Sequence, residues 1–159
     1  MLKILLCIFI FSSVVHSANL PSGITVETAT LSLARAYLEA ASCGQYAFFI
    51  GGAYGNGSHA GGVYDNLTNI IDVYDGSAKT WSVLTMQYPR VFFGVTTIKD
   101  LLLIGGGWKS PYSDLSLVEM WNVTTKSWST ASLSRARAQL GLICIQYSIY
   151  RCSRNFYSD

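Results

Sequence analysis

Tyr74-Asp75-Gly76-Ser77-Ala78-Lys79-Thr80-Trp81 recurs as Trp121-Asn122-Val123-Thr124-Thr125-Lys126-Ser127-Trp128, 47 residues further along the chain. Each copy runs from an aromatic residue through Asp or Asn and a short polar segment to a lysine and a tryptophan. The agreement extends well beyond these octets. A double glycine stands upstream each time, Gly51-Gly52 and Gly105-Gly106. An arginine lies nine residues past each tryptophan (Arg90, Arg137) and a glycine thirteen past (Gly94, Gly141). Several landmarks in one register, at a period near 50 residues, mean successive copies of one supersecondary unit.

Each copy reads as four strands. Residues 36–43 and 92–98 are short small-plus-apolar runs closed by the polar turns Gly44-Gln45 and Lys99-Asp100. Residues 46–50 and 101–104 follow, apolar on both faces as buried inner strands must be, and each run is stopped by glycine. Residues 69–74 and 117–121 alternate in polarity and enter the octet, and a fourth strand opens at Trp81 or Trp128. Past residue 17 there is no helical period. The expected fold is all-β, with blades of four antiparallel strands joined by hairpins, the plan of a β-propeller. Arg35 to Arg90 spans 55 residues and Arg90 to Arg137 only 47; the excess lies after the first double glycine, in a loop where binding residues tend to sit.

The order Arg, Gly, apolar-Gly-Gly, acidic-x-Tyr-Asp and then Trp resembles the kelch repeat over residues 35–146. Gly51, Gly52, Asp72, Tyr74, Asp75 and Trp81 carry the resemblance in the first copy. Gly105, Gly106, Glu119 and Trp128 carry it in the second, with Trp121 in place of the tyrosine. It implies a propeller whose glycines permit close turns and whose aromatic pair packs between neighbouring blades.

The chain divides into 1–17, a secretory signal; 18–34, in which 24–31 reads as a closing strand of a neighbouring blade; 35–84 and 85–131, two kelch repeats; 132–146, a partial third; and 147–159, a divergent tail. Lys3 and the apolar stretch up to Val15 make the signal, with cleavage after Ser17. Its apolar core reaches only ~18 Å as a helix, too short to span a bilayer. The expected location is extracellular. Two blades and a part imply a piece of a longer propeller or an assembly of several chains, with self-association through open blade edges.

Three sequons, at Asn56, Asn66 and Asn122, suit a secreted glycoprotein. The net charge of +2 comes with no basic cluster, which argues against nucleic acid. Cys144 and Cys152 are spaced to bridge a local hairpin; Cys43 is then left over or pairs with another chain.

Catalytic devices are scarce. Gly55-x-Gly57-x-x-Ala60 matches a dinucleotide loop, but the glycines and sequon that follow oppose the helix such a loop requires. Asp72 and Glu119 occupy one repeat position, and a pair copied in every blade points to a structural task. Arg35, Arg90 and Arg137 recur likewise and read as solvated or blade-bridging side chains, with a ligand-facing rim as the alternative. His59 is the one histidine beyond the signal, insufficient for an imidazole metal site or a catalytic triad. The copper oxidases that share kelch propellers require two histidines. The reading is therefore a binding module without cofactor or metal, for a protein or glycan ligand. Tyr54, His59, Tyr64, Trp108 and Tyr112 are the candidate contact residues in the loops after the double glycines. The competing class is a carbohydrate oxidase or sugar isomerase. An intracellular ubiquitin-ligase adaptor is disfavoured by the signal and by the lack of a BTB-like helical segment.

Overall fold

In the computed structural model the chain separates into one unit ending at Ser32 and a second from Leu33 onward. The structure describes residues 29–55, 66–109, 113–145 and 148–153, the side chains of 145 and 148–153 excepted. All that follows concerns the second unit. The signal and most of the proposed closing strand lie outside the described residues, and residues 29–31 are not in a strand.

The first repeat forms a four-stranded antiparallel sheet, ordered β1 (Glu39–Cys43), β2 (Tyr46–Ile50), β5 (Ile70–Asp75) and β6 (Thr80–Thr85). Its connection from β2 to β5 carries a two-stranded ribbon of β3 (Ala53–Tyr54) and β4 (Asn66–Leu67). The second repeat is built alike: β7 (Gly94–Ile98), β8 (Leu101–Gly105), β11 (Leu117–Asn122) and β12 (Ser127–Ser132), with the ribbon β9 (Trp108–Lys109) and β10 (Ser113–Asp114). The expected all-β blade architecture is what the chain adopts. Among the described residues no helix is long and apolar enough to cross a membrane.

The core lies between the blades. Phe48, Ile50, Ile71 and Val73 of the first sheet pack with Phe93, Leu102, Ile104 and Trp121 of the second in one buried cluster. Phe49 and Leu103, on the opposite faces of β2 and β8, are buried too, as the apolar runs required. The outer strands β6 and β12 are largely exposed. Trp81 stacks on Tyr74 (ring centroids 5.1 Å) and Trp128 on Trp121 (5.2 Å), each directly opposite its partner in the register. The two tryptophans keep 37% and 36% of their surface exposed, so they cover the aromatic beneath them and are not core residues themselves.

Three readings are corrected by the register. Phe49 pairs with Asp72 and Ile104 with Glu119, so Ile50 corresponds to Gly105. The structural counterpart of Gly51-Gly52 is therefore Gly106-Gly107, one residue later than the sequence match Gly105-Gly106. The backbone confirms it: φ is 57° and 106° at the first pair and 65° and 97° at the second, a left-handed run that glycine adopts without strain. Residues 148–153, assigned to a divergent tail, form β14 (Ser148–Ser153), which pairs antiparallel with β13 (Leu140–Ile145) as the second strand of a third blade. Along that hairpin Cys144 pairs with Ile149 and Cys152 with Gly141. Three rungs at ~3.3 Å separate the two cysteines, beyond the Cα spacing a disulfide tolerates. Cys144 is a free thiol, as is the buried Cys43, which donates its S–H to the Lys99 carbonyl of the next blade.

Candidate functional site

Of the recurring arginines, Arg35 and Arg90 are neither solvated nor on a rim, whereas Arg137 is only half-buried. Arg35 and Arg90 are buried, and each extends across its own blade to the acid of the third strand. Arg35 Nη1 lies 2.7 Å from Asp72 Oδ2, and Arg90 Nη2 pairs with Glu119 Oε2. One further donor of each holds the glycine turn: Arg35 Nε donates to the Gly51 carbonyl (2.8 Å) and Arg90 Nη1 to that of Gly106 (2.9 Å). Glu119 also accepts from the Gln87 backbone N–H at 2.7 Å. Burial lowers the Arg90 pKa to about 10, so the guanidinium remains charged at neutral pH. Asp72 and Glu119, locked in these pairs, serve as anchors for the blade.

The hairpin turns 44–45, 76–79, 99–100 and 123–126 close one end of the sheets. The opposite end carries the ribbons and the connections that enter each blade, and two antiparallel bridges build it. Ala36 and Ala53 exchange both backbone bonds at 2.8 Å; Val91 and Trp108 do so at 3.1 and 2.8 Å. Gly52 donates to the Arg90 carbonyl of the next blade, and Gly107 to that of Arg137. The glycine pairs thereby join successive blades at this end. A Cβ on Gly52 would meet the Ala36 carbonyl at 2.5 Å, and one on Gly107 would meet Phe93 at 2.8 Å.

Two residues beyond each arginine the backbone turns left-handed at a non-glycine residue: Tyr37 (φ 57°), Phe92 (57°) and Gln139 (53°). This conformation costs a side-chain-bearing residue ~1–3 kcal/mol and persists only where the surroundings enforce it. It delays β1 and β7, which begin at Glu39 and Gly94 and not at the expected 36 and 92. It also aims two aromatics along the end of the blades. Tyr37 and Phe92 meet edge to face, ring centroids 5.8 Å apart, and Tyr37 keeps 47% of its surface exposed. Gln139 N–H donates to the Phe92 carbonyl at 2.7 Å, which ties the third rim residue to the second.

Of the candidate loop residues, Tyr54 is exposed on β3, directly opposite Asn66. Trp108 is half-buried and held by its bridge to Val91; it matches Ala53 in the other blade, not Tyr54. The counterpart of Tyr54 is Lys109, whose ammonium lies 4.5 Å from the centre of the Tyr88 ring. His59, Tyr64, Tyr112 and Asn56 fall outside the described residues. Tyr37, Phe92, Tyr88 and Lys109 were missed by sequence reasoning, although Tyr37 and Phe92 share one repeat position, two past each arginine. Among the described residues no group of three or more His, Cys, Asp or Glu side chains is arranged to hold a metal ion.

Four-stranded antiparallel sheets stacked face to face, with the inner strand first and the outer strand last, are the blades of a β-propeller. Residues 89–132, the second of these blades, match the Kelch motif family. Kelch-like protein 36 of Bos taurus is 32% identical over 105 residues, which cover 65% of this chain and 16% of that relative. The second blade thus carries a kelch motif, and the chain spans about a sixth of the length of the curated relative it matches.

Proposed function

We propose that this chain is a secreted kelch-repeat module that binds a protein or carbohydrate ligand through the end of its blades opposite the hairpin turns. The observation that carries the reading is the edge-to-face pair of Tyr37 and Phe92, held on left-handed backbone where blades adjoin. Aromatic rings on an enforced backbone lose little conformational freedom on binding and offer faces suited to sugars and to apolar side chains. The acids that a hydrolytic or isomerising mechanism would draw on, Asp72 and Glu119, are engaged by buried arginines, which favours binding over catalysis. Extracellular delivery rests on the leader read from Lys3 and the apolar run to Val15.

The test is to collect the protein from the medium of secreting cells, confirm an N-terminus at Ala18, and screen it on glycan and extracellular-protein arrays. Tyr37→Gly is the informative variant, because glycine accepts the φ of 57° without strain and removes only the ring. Loss of an aromatic anchor costs ~2 kcal/mol or more, about a thirtyfold rise in Kd. A captured ligand that binds Tyr37→Gly and Phe92→Gly as tightly as the parent would overturn this reading.

A further inference from the structure

Tyr54 and Asn66 form the last rung of the β3–β4 ribbon, directly opposite each other. Both are exposed. Side chains so opposed have Cβ atoms ~4.5–5.5 Å apart on one face of the ribbon. Beside them is Gly55, and a Cβ built there would find one described neighbour within 4 Å, the Asn66 Nδ2 at 3.8 Å. The Asn66 side chain thus stands exposed beside an exposed ring. Asn66-Leu67-Thr68 is a sequon. We infer that Asn66 carries an N-linked glycan whose first sugar lies against the Tyr54 ring, leaving Tyr37 and Phe92 as the ligand-facing aromatics. The inference rests on the secretory reading above.

The chemistry also sets the order of events. In the transfer, Asn66 Nδ2 displaces the pyrophosphate from C1 of a lipid-linked oligosaccharide. One N–C bond forms, the C1–O bond breaks with its electron pair leaving on the lipid pyrophosphate, and one amide proton passes to base. The sequon hydroxyl must be accessible at that moment. In the folded blade Thr68 is buried and its Oγ1 accepts from the Ile70 N–H at 3.1 Å. Transfer therefore precedes closure of the first blade.

The experiment expresses the full chain in secreting cells with its own leader and, in parallel, with a foreign one. Peptide N-glycosidase in heavy-oxygen water, followed by peptide mass spectrometry, reads occupancy at Asn66. An endoglycosidase then trims the glycan to its first sugar, and tetranitromethane nitration of Tyr54 is compared with Asn66→Gln, a change at an exposed side chain. The expected result is an occupied Asn66 and nitration slowed about twofold or more by the single sugar, since stacking covers one of the two ring faces. Occupancy with the foreign leader alone would sink the secretory reading, and with it a glycan on the native chain, while the nitration comparison would still test the contact of the sugar with Tyr54. An empty Asn66 in protein recovered from the medium, or equal nitration with and without the first sugar, overturns it.

Discussion

A buried arginine paired with a carboxylate on its own third strand is the residue-scale device this chain repeats. The pair stabilises little in net terms, because both ions lose their water, but leaving one charge alone is costly. Glu119→Ala would strand the Arg90 guanidinium, which is fully buried. The expected loss is ~3–5 kcal/mol in urea unfolding, whereas the double change Arg90→Met with Glu119→Leu costs far less. Equal losses in the single and double variants would show that the pair is not the unit. Recurrence of the arginines was plain in the sequence, yet their burial was not. Nothing in a spacing of 47 residues says whether a guanidinium faces water or a carboxylate; only the pairing of β2 with β5, and of β8 with β11, brings the acid within reach.

At the scale of the element, the repeated octet is a four-strand blade's last hairpin, and one side chain organises it. Asp75 Oδ1 accepts the N–H groups of Ser77 (2.8 Å) and Ala78 (3.0 Å), as Asn122 does in the second blade. The Ala78 N–H, with lesser help from Ser77, Gln45 and Lys126, holds the Asp75 pKa below its ordinary 3.8. A depressed carboxylate contributes stability that is present above the unfolded value and lost as pH falls through the folded one. Asp75→Asn keeps the turn, since Asn122 already performs that task, but removes the charge. The stability difference between parent and Asp75→Asn is therefore expected at neutral pH and closes as pH falls below about 4, measured by urea titration across pH. The same hairpins separate their two aromatics. Trp121 is 8% exposed and within the core, so Trp121→Ala is expected to cost ~3–5 kcal/mol. Trp128→Ala, which removes a partly exposed ring stacked on it, costs about 1 kcal/mol from the aromatic pair plus some lost area.

For the molecule as a whole, the contacts that matter run from blade to blade. A Cβ on Gly94 would stand 2.7 Å from Leu142 Cγ and 3.1 Å from the Leu140 carbonyl, and one on Gly105 2.9 Å from Leu142 Cδ1. Glycine at both positions lets β13 lie against the second blade. Gly94→Val should therefore loosen the β13–β14 hairpin by ~1–3 kcal/mol of overpacking. Its amides would exchange faster while those of β2 and β5 hold, a contrast that hydrogen-exchange mass spectrometry reads. Uniform acceleration throughout would mean that the blades unfold as one unit. On the other side of the second blade, Lys126 Nζ lies 4.2 Å from the centre of the Tyr46 ring and donates to its hydroxyl at 3.0 Å, one further bond between blades.

Strand order, the blade plan and the buried inner strands followed from the sequence alone, because apolar runs on both faces and a period near 50 residues leave few other ways to bury those surfaces. Family resemblance lay in the same landmarks. The glycine register, the fate of the arginines and the second strand of the third blade were decided by tertiary structure. A run of three glycines, Gly105 to Gly107, has no local signal to say which two turn left-handed; the pairing of Ile104 with Glu119 does. Ser148–Ser153 lacks the repeat's landmarks and still forms a strand, since pairing with β13 needs only its backbone groups. The rim belongs to the same category. Tyr37 and Phe92 are ordinary aromatics in the sequence, and they become a pair only when two blades stack and hold both in a conformation that neither would adopt alone.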